Sequence, residues 1–323
     1  MPETVLYLSR SEIDALQLDP VIARHRVTAA FKAHATDRSA SRPKLSLDIG
    51  PGHAFQSLCA ASAEIGMAAT KWLGMARSPD GGGANIDALM ALNDFASGRL
   101  LAILDGNGLT GLRTAAMSAA AAASLARPDS AVIGFVGCGL QARAHLHAMK
   151  ALLPGLSRVL AFGKGRASTE RFATYARGNG FAVETIADAS DVVRASDILV
   201  TSVPMRSGFR PFLDAAWLPE GSFVSAVDIA RSWIPESLDK LDLLATDDHR
   251  QQAEHPPIFG TLGALGSFHA DLSELSAASG PLRSRPDQRA MFIFRGFALA
   301  DLAVAAYAFQ AAVAQQKGMI LPR

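Results

Sequence analysis

The sequence predicts an α/β fold built from two domains. From Ala131 onward, short apolar strands alternate with helices, as in a parallel sheet that has helices on both faces. The preceding part has strands separated by turns, which is typical of an antiparallel sheet with flanking helices. The length of 323 residues also exceeds the usual size of one domain.

In the first domain, apolar periodicity predicts a helix over Pro20–Ala35. The strand candidates that follow are Lys44–Asp48, Ala69–Gly74, Ala88–Asp94 and Leu100–Leu104. An alanine-rich run from Gly111 to Arg127, ended by Pro128, predicts a long helix that connects the domains, with Arg113 near its start.

The second domain is predicted from five apolar strands separated by helical segments. These strands read AVIGFVG, VLAFG, DILVTSV, SFVSAVD and LDLLATD. Their alternation with helices indicates a doubly wound sheet. The last predicted helix, Phe294–Gln316, is apolar on most sides and is expected to be buried.

Composition and charge exclude several classes of protein. The 31 Lys and Arg residues balance the 30 Asp and Glu residues, so the basic surface of a nucleic-acid-binding protein is not expected. The two cysteines lie far apart, which predicts neither a disulfide framework nor a Cys-x-x-Cys metal site. His145 and His147, at i and i+2 of a helix, are poorly placed as metal ligands. We expect a soluble cytoplasmic protein with no metal, no nucleic acid and no membrane partner.

A glycine-rich turn follows the first strand of the second domain. The sequence Gly137-Cys138-Gly139-Leu140-Gln141-Ala142 has the form GxGxxA and leads into a helix. Glycine permits a tight turn and a close backbone approach to a pyrophosphate, which the helix N-terminus stabilises. A dinucleotide site is therefore predicted. The alternative is a turn that serves only helix–strand packing.

The next strand, Ser157–Gly163, ends without the acidic residue that would bind the ribose 2′-hydroxyl of NAD. Lys164 and Arg166 follow it instead. Cations at this position suit a 2′-phosphate, so NADP(H) is favoured and NAD(H) remains possible. The alternative is that both cations are solvated loop residues.

Four cations of the first domain and one aspartate of the second are further candidates. Arg42 and Lys44 flank the first strand, Lys71 interrupts an apolar strand, and Arg113 precedes small apolar residues. Together such cations can bind a carboxylate, although each alone suits a surface position. Asp228 ends the strand SFVSAVD, at the sheet edge where ligands bind, and could equally be a turn or cap residue.

The chain resembles the ornithine cyclodeaminase/mu-crystallin family. The resemblance rests on LTGLRTAA (Leu109–Ala116), the following LARPDS and the glycine turn. Further similar segments are LYLSRSEI near the start, the KWLG that begins at Lys71, VSAVD, and FIFRGFALAD near the end. The resemblance implies a Rossmann-type nucleotide-binding domain over 119–302. It also implies a substrate-binding and dimerisation domain over 1–118 and 303–323, completed by the C-terminal helix.

The resemblance also implies roles for individual residues. Lys71 and Arg113 match the basic residues that hold a substrate carboxylate, and a third match is either Arg42 or Lys44, with Arg42 favoured. Lys71 and Asp228 are the expected catalytic residues, and Asp228 matches an aspartate beside the reacting amine or imine. The expected cofactor-binding residues are Thr114, Gly137, Gly139, Leu140, Gln141, Ala142, Lys164, Arg166, Thr201, Ser202 and Val203.

The chain departs from the family pattern at three places. Leu58-Cys59-Ala60 replaces a Met-Pro-Ala motif, Gln56 replaces a glutamate of ornithine-processing members, and Phe294 replaces a small serine. A neutral Gln56 lacks the charge that would pair with a terminal ammonium, which favours a cyclic ketimine such as Δ1-pyrroline-2-carboxylate as substrate.

The function that follows from the resemblance is NAD(P)H-dependent reduction of an α-imino acid to the L-amino acid by a homodimer. The alternatives are ornithine cyclodeamination, alanine-dehydrogenase-like or opine-type chemistry, and cofactor-gated ligand binding of the mu-crystallin type.

Overall fold

The computed structural model describes residues 4–50, 53–77, 84–204, 209–254 and 268–323. Two compact units divide the chain: unit 1 comprises Met1–Met117 and Gly296–Arg323, and unit 2 comprises Ser118–Arg295. The boundary after residue 302 that the sequence suggested would cut the last helix, Ala298–Ala314, whereas that helix lies whole in unit 1. No described helix is long and apolar enough to cross a membrane.

The strands are β1 (Thr4–Leu8), β2 (Ser39–Ser41), β3 (Leu45–Asp48), β4 (Ala54–Ser62), β5 (Met67–Arg77), β6 (Ala84–Asp94), β7 (Leu100–Asp105), β8 (Val132–Val136), β9 (Arg158–Phe162), β10 (Ala182–Thr185), β11 (Ile198–Thr201), β12 (Phe223–Ala226), β13 (Leu243–Thr246), β14 (Ala270–Asp271), β15 (Ala290–Ile293) and β16 (Met319–Pro322). The α-helices are α1 (Arg10–Ala15), α2 (Pro20–His34), α3 (Gly106–Leu125), α4 (Leu140–Leu152), α5 (Arg166–Gly178), α6 (Ala189–Arg194), α7 (His249–Glu254), α8 (Leu272–Ala277) and α9 (Ala298–Ala314). Two 3-10 helices, Ala215–Trp217 and Pro235–Lys240, complete the described elements.

Unit 1 is built on one sheet with the strand order β16-β1-β7-β6-β5-β4-β2, and β3 pairs with β4. All pairs are antiparallel except β1 with β7. Strands β1, β2, β4 and β16 were not among the predicted ones. Helix α9 packs against α2 and against strands β4 and β5.

The strand register places Lys71 on the buried face of this sheet. Leu58, Lys71, Met90 and Leu104 lie directly opposite one another on β4, β5, β6 and β7. All four are buried, and the other three are apolar. The Lys71 ammonium is therefore surrounded by apolar neighbours on its own sheet.

Helix α3 begins at Gly106, earlier than the predicted Gly111, so Arg113 lies deeper inside the helix than predicted. The first glycine of this helix has a packing role. A Cβ on Gly106 would lie 2.8 Å from the Ala88 Cβ. The Asp105 side chain accepts a hydrogen bond from the Gly108 N–H at 2.7 Å, which helps to start the helix.

Unit 2 confirms the predicted α/β class with an eight-stranded parallel sheet in the order β10-β9-β8-β11-β12-β15-β13-β14. The five predicted strands are present, and β10, β14 and β15 are additional. The predicted helix from Phe294 is wrong at its start. Strand β15, which pairs with β12 and β13, ends at Ile293, and α9 begins only at Ala298, with Gly296, at φ 88°, between them.

Gly106→Ala is expected to destabilise unit 1 by about 1–3 kcal/mol, because the added methyl group overlaps the Ala88 side chain and backbone. Urea unfolding followed by circular dichroism measures the change. The matched control is Gly178→Ala at the end of α5, where a Cβ meets nothing within 4 Å, and it should leave stability equal or slightly higher. Equal stability of the two variants would contradict the close packing.

Candidate active site

Asp228 lies just beyond β12 and is almost fully buried. Its Oδ1 accepts a hydrogen bond from the Thr201 hydroxyl at 2.9 Å, and its Oδ2 accepts one from the Ser232 hydroxyl at 2.7 Å. The Val203 N–H donates a longer bond of 3.5 Å to the same Oδ2. Burial outweighs these bonds and raises the pKa of the Asp228 carboxyl group. A carboxyl group with a raised pKa can take up and release a proton closer to neutral pH.

The backbone after Asp228 is unusual. Ile229 and Ala230 have positive φ angles of 60° and 56°, in the left-handed region that β-branched residues such as Ile rarely adopt. This conformation turns the chain back so that Ser232 reaches the carboxylate four residues earlier. Strain of this kind is found preferentially at functional sites.

The predicted glycine turn lies where the strand order of unit 2 reverses. Strands β8 and β11 are neighbours, although β9 and β10 come between them in sequence. Gly137 follows β8 at φ 104°, and a Cβ there would lie 2.7 Å from the Ser202 carbonyl oxygen, so only glycine fits. The Ser202 hydroxyl donates a hydrogen bond to the Gly137 carbonyl at 3.2 Å. The carboxyl ends of strands at such a reversal are where α/β proteins bind ligands.

The start of α4 offers a cradle for an anion. Gly139 is its N-cap residue and provides no side-chain hydrogen bond to the first N–H groups. A Cβ on Gly139 would meet nothing within 4 Å, so open space lies in front of the helix. These features fit a pyrophosphate, because unsatisfied N–H groups and the helix dipole favour negative charge.

The remaining predicted cofactor residues lie on or beside these elements or on α3. Ala142 is fully buried, and Leu140 is 55% exposed on the first turn of α4. The Gln141 carbonyl is held by the ring of the buried His145, at 2.8 Å from Nδ1. Thr114 lies on α3 in unit 1, where its hydroxyl donates to the Thr110 carbonyl at 2.7 Å.

Lys164 lies exposed between β9 and α5, and Arg166 is the exposed first residue of α5. Within the described residues, neither cation forms an ion pair or a side-chain hydrogen bond. Both charges are therefore accessible to an anionic ligand.

In unit 1, three charged side chains meet beneath the sheet. The Lys71 Nζ lies 2.8 Å from Asp301 Oδ1, and the Arg113 Nε lies 3.2 Å from the same oxygen. Lys71 and Asp301 are each 2% exposed, and Arg113 is 9% exposed. We call these three residues the cation cluster. It contains two positive charges and one negative charge, so it has an excess of one positive charge.

Burial of Lys71 lowers the pKa of its ammonium group to about 8, and the nearby Arg113 charge lowers it as well. The Asp301 carboxylate raises the same pKa but does not offset these effects. Lys71 therefore changes its charge close to physiological pH, unlike an ordinary lysine.

The structure does not bring all predicted cations together. Arg42 is exposed and lines a surface depression of unit 1 together with Cys59 and Thr70. Within the described residues, no ion pair or hydrogen bond joins Arg42 to the cation cluster. Lys44 is half-buried just before β3.

Two side chains that contact the candidate site residues were missed from the sequence. Asp301 belongs to the segment FIFRGFALAD, where its charge within an apolar helix was the available signal. Ser232 gave no signal, because its contact with Asp228 depends on the left-handed turn at Ile229 and Ala230.

Among the described residues, His249, Asp271 and Glu274 bring three possible metal-ligand atoms within 4.8 Å of one another. Their bonds have another explanation. Asp271 and Glu274 form the capping box at the start of α8, and His249 Nε2 pairs with Glu274 Oε2 at 3.0 Å. We assign no metal to this group.

The doubly wound sheet, the glycine turn at its reversal point and the open helix N-terminus define a dinucleotide-binding α/β protein. The model of the ornithine cyclodeaminase/mu-crystallin family matches residues 7–316, and the chain belongs to that family. It is an enzyme of this family of NAD(P)-dependent oxidoreductases and cyclodeaminases.

The chain is similar to several named proteins over most of its length. The alanine dehydrogenase of Archaeoglobus fulgidus is 29% identical over 324 residues, covering 97% of each chain. The Δ1-pyrroline-2-carboxylate reductase of Bacillus cereus is 26% identical, covering 73% of this chain and 74% of the relative. A solved archaeal alanine dehydrogenase dimer with bound NAD is 27% identical, has a TM-score of 0.85 and covers 99% of each chain.

Proposed function

We propose that the protein is an NAD(P)H-dependent reductase that converts a small cyclic α-imino acid, such as Δ1-pyrroline-2-carboxylate, to the L-amino acid. The observation that carries this proposal is the cation cluster, whose excess positive charge is buried. A buried uncompensated charge is costly, and a substrate carboxylate would remove that cost by binding Lys71 and Arg113.

The glycine turn and the N-terminus of α4 would hold the pyrophosphate of the cofactor, which supplies a hydride to the imine carbon when bound. Asp228 would donate a hydrogen bond or proton to the imine nitrogen. Its raised pKa, due to burial, supports this role because the carboxyl group holds its proton more readily than an ordinary aspartate. Each turnover consumes one imine, one reduced nicotinamide and one proton, and yields one amine and one oxidised cofactor.

The residues that differ from the family pattern support a substrate whose side group is small and neutral. Gln56 is half-buried on β4, with its amide 3.5 Å from the Ser46 hydroxyl, and it supplies no charge for a second ammonium group. Phe294 is buried and stacks on Phe292 with ring centroids 4.6 Å apart. A cyclic imino acid suits these neutral residues better than ornithine does.

Reductive amination of pyruvate is the second candidate, because the alanine dehydrogenase relative matches almost the whole chain. Both reactions use a carboxylate next to a carbon–nitrogen double bond. They differ in whether the imine arrives preformed or is made from a keto acid and ammonia.

Δ1-Pyrroline-2-carboxylate is expected to be reduced with a kcat/KM at least tenfold higher than that for pyruvate with ammonia, because a preformed ring imine needs no condensation step. NADPH and NADH oxidation followed at 340 nm measures both reactions, and ammonia release from L-ornithine tests cyclodeamination. Faster turnover of pyruvate or ornithine would contradict the assignment. If these compounds bind but none of them is turned over, the protein is a binding protein instead.

Asp228→Asn should lower kcat of the preferred reaction by about 10²–10⁴-fold, because the amide cannot relay the proton. Its affinity for the cofactor should remain. The matched control is Asp191→Asn, an exposed aspartate on α6 of the same unit, which should leave the kinetics unchanged. Unchanged kcat in Asp228→Asn would remove Asp228 from the mechanism.

For the cofactor, we propose a preference for NADP(H) over NAD(H), supported by the accessible Lys164 and Arg166. Lys164→Ala with Arg166→Ala is expected to weaken NADPH binding by about tenfold or more and NADH binding much less, since only NADPH carries the 2′-phosphate. Fluorescence titration measures both dissociation constants. Arg171→Ala, an exposed arginine on α5, is the control. Equal losses for the two cofactors would contradict the preference.

We also propose that the protein is a homodimer formed through the exposed face of the unit 1 sheet. This face carries a row of apolar side chains that are between 39% and 60% exposed, namely Leu45, Leu47, Phe55, Trp72 and Leu89. We call them the sheet-face patch. Contiguous apolar surface of this kind marks interaction sites, and the archaeal relative is described as a dimer.

Sedimentation is expected to give a dimer of the 33.9 kDa chain. Trp72→Glu with Leu89→Glu should give a monomer, because facing charges cannot be buried against a second copy. Val313→Glu, which alters an exposed apolar residue on α9 outside the patch, is the control and should remain dimeric. A monomeric wild-type protein, or a dimer unaffected by the patch substitutions, would contradict this interface.

A further inference from the structure

Asp301 is a buried carboxylate in the most apolar helix of unit 1. The other residues of α9 from Ala298 to Ala306 are buried and apolar. A carboxylate at such a position is destabilising unless cations compensate it. Both of its neighbours in the cation cluster are cations, and each contacts the same oxygen, Oδ1.

The contacts of Asp301 are uneven. Lys71 donates a hydrogen bond to Oδ1 at 2.8 Å, whereas Arg113 forms an ion-pair contact of 3.2 Å through Nε without a hydrogen bond. Within the described residues, the buried Oδ2 has no hydrogen-bond partner. Arg113 Nε and Asp301 Oδ2 can therefore still form hydrogen bonds that the described residues do not supply.

The backbone before α9 is adapted to this arrangement. Gly296 has φ 88°, and a Cβ at that position would lie 2.5 Å from the Arg113 Nη1. The glycine lets the chain pass close to the guanidinium group five residues before Asp301. Gly296 and Asp301 of this segment therefore both contact the Arg113 side chain and constrain its position.

We propose that Asp301 is a positioning residue that keeps the Lys71 ammonium charged beside Arg113 and limits the cluster to one further carboxylate. This inference rests on the proposed function. With one substrate carboxylate bound, two cations face two anions and the cluster is neutral. A second carboxylate would leave excess negative charge, so the cluster selects monocarboxylates at this position.

The proposal follows from the charges that act on Lys71. Arg113 on α3 and Asp301 on α9 are the charged groups that determine its titration, and Leu58 and Met90 flank it on β4 and β6. Burial and Arg113 both favour the neutral amine. Among the groups that the structure describes, Asp301 alone favours the ammonium form, so its removal should lower the pH at which Lys71 loses its proton.

The test is Asp301→Asn, which is nearly isosteric and removes the charge. NMR of lysine side chains labelled with ¹³C and ¹⁵N measures the Lys71 titration, with its signal assigned by its loss in Lys71→Arg. The wild-type midpoint is expected near 8. In Asp301→Asn it should fall by about one pH unit or more. An unchanged midpoint would overturn the proposal.

Kinetics supply a second readout that a merely structural role would not change. As the pH is raised above 7, kcat/KM for the imino acid should decrease, mainly because KM increases. In Asp301→Asn this decrease should begin at a lower pH than in the wild type. The dissociation constant for NADPH should stay within about twofold, since the cofactor loop lies in unit 2. An equal loss at every pH, shared with NADPH binding, would indicate misfolding and count against a positioning role.

Two further variants guard against simple destabilisation. Asp301→Glu retains the charge and should keep the Lys71 midpoint closer to the wild-type value than Asp301→Asn does. In the Lys71→Met background, Asp301→Asn should change kcat/KM less than it does in the wild type, because one of its two targets is gone. Additive effects would overturn the proposed coupling. The NMR titration needs no turnover, so a shifted midpoint with no imine reduction would reject the proposed function and keep the role of Asp301.

Discussion

The central constraint on the described part of unit 1 is the burial of two cations that share one carboxylate. Removing charged groups from water costs several kcal/mol for each ion unless partners compensate them. Lys71 and Arg113 share Asp301, and the register of β4 to β7 surrounds Lys71 with apolar side chains. Such an arrangement is a poor way to stabilise a fold, because an apolar replacement of buried ion pairs is often no less stable. The proposed function explains it, because an excess of buried positive charge favours the binding of an anion.

Unit 2 uses a different device at Asp228. Its carboxylate is held by Thr201 and Ser232, and the left-handed residues that follow bring Ser232 into reach. Burial raises the pKa of Asp228, whereas it lowers the pKa of Lys71. Both shifts bring the pKa of the group closer to neutral pH, from below for Asp228 and from above for Lys71. Groups whose environments shift their pKa values toward the working pH are typical of proton-handling sites.

Sequence reasoning was most successful where one residue type has one local reason. Gly137 is required by a positive φ angle and by the approach of Ser202, and the strand before it follows from its apolar run. Sequence reasoning was less successful where a contact joins residues that are far apart in the sequence. The helix was predicted to begin at Gly111, although it begins at Gly106, where the absence of a side chain permits close packing against β6. The meeting of Lys71 with Asp301 joins residues 230 positions apart, which no local pattern reveals.

Carboxylate binding is the property that tests the proposed role of the cation cluster most directly. Calorimetric titration of the protein with oxidised cofactor present can compare pyrrole-2-carboxylate with pyrrole-2-carboxamide, which has the same ring but no charge. We predict that the carboxylate binds at least about tenfold more tightly at pH 7, as expected for charge-assisted hydrogen bonds. This advantage should shrink as the pH rises above about 8 and Lys71 loses its charge. Equal binding of the two compounds at pH 7 would contradict the account.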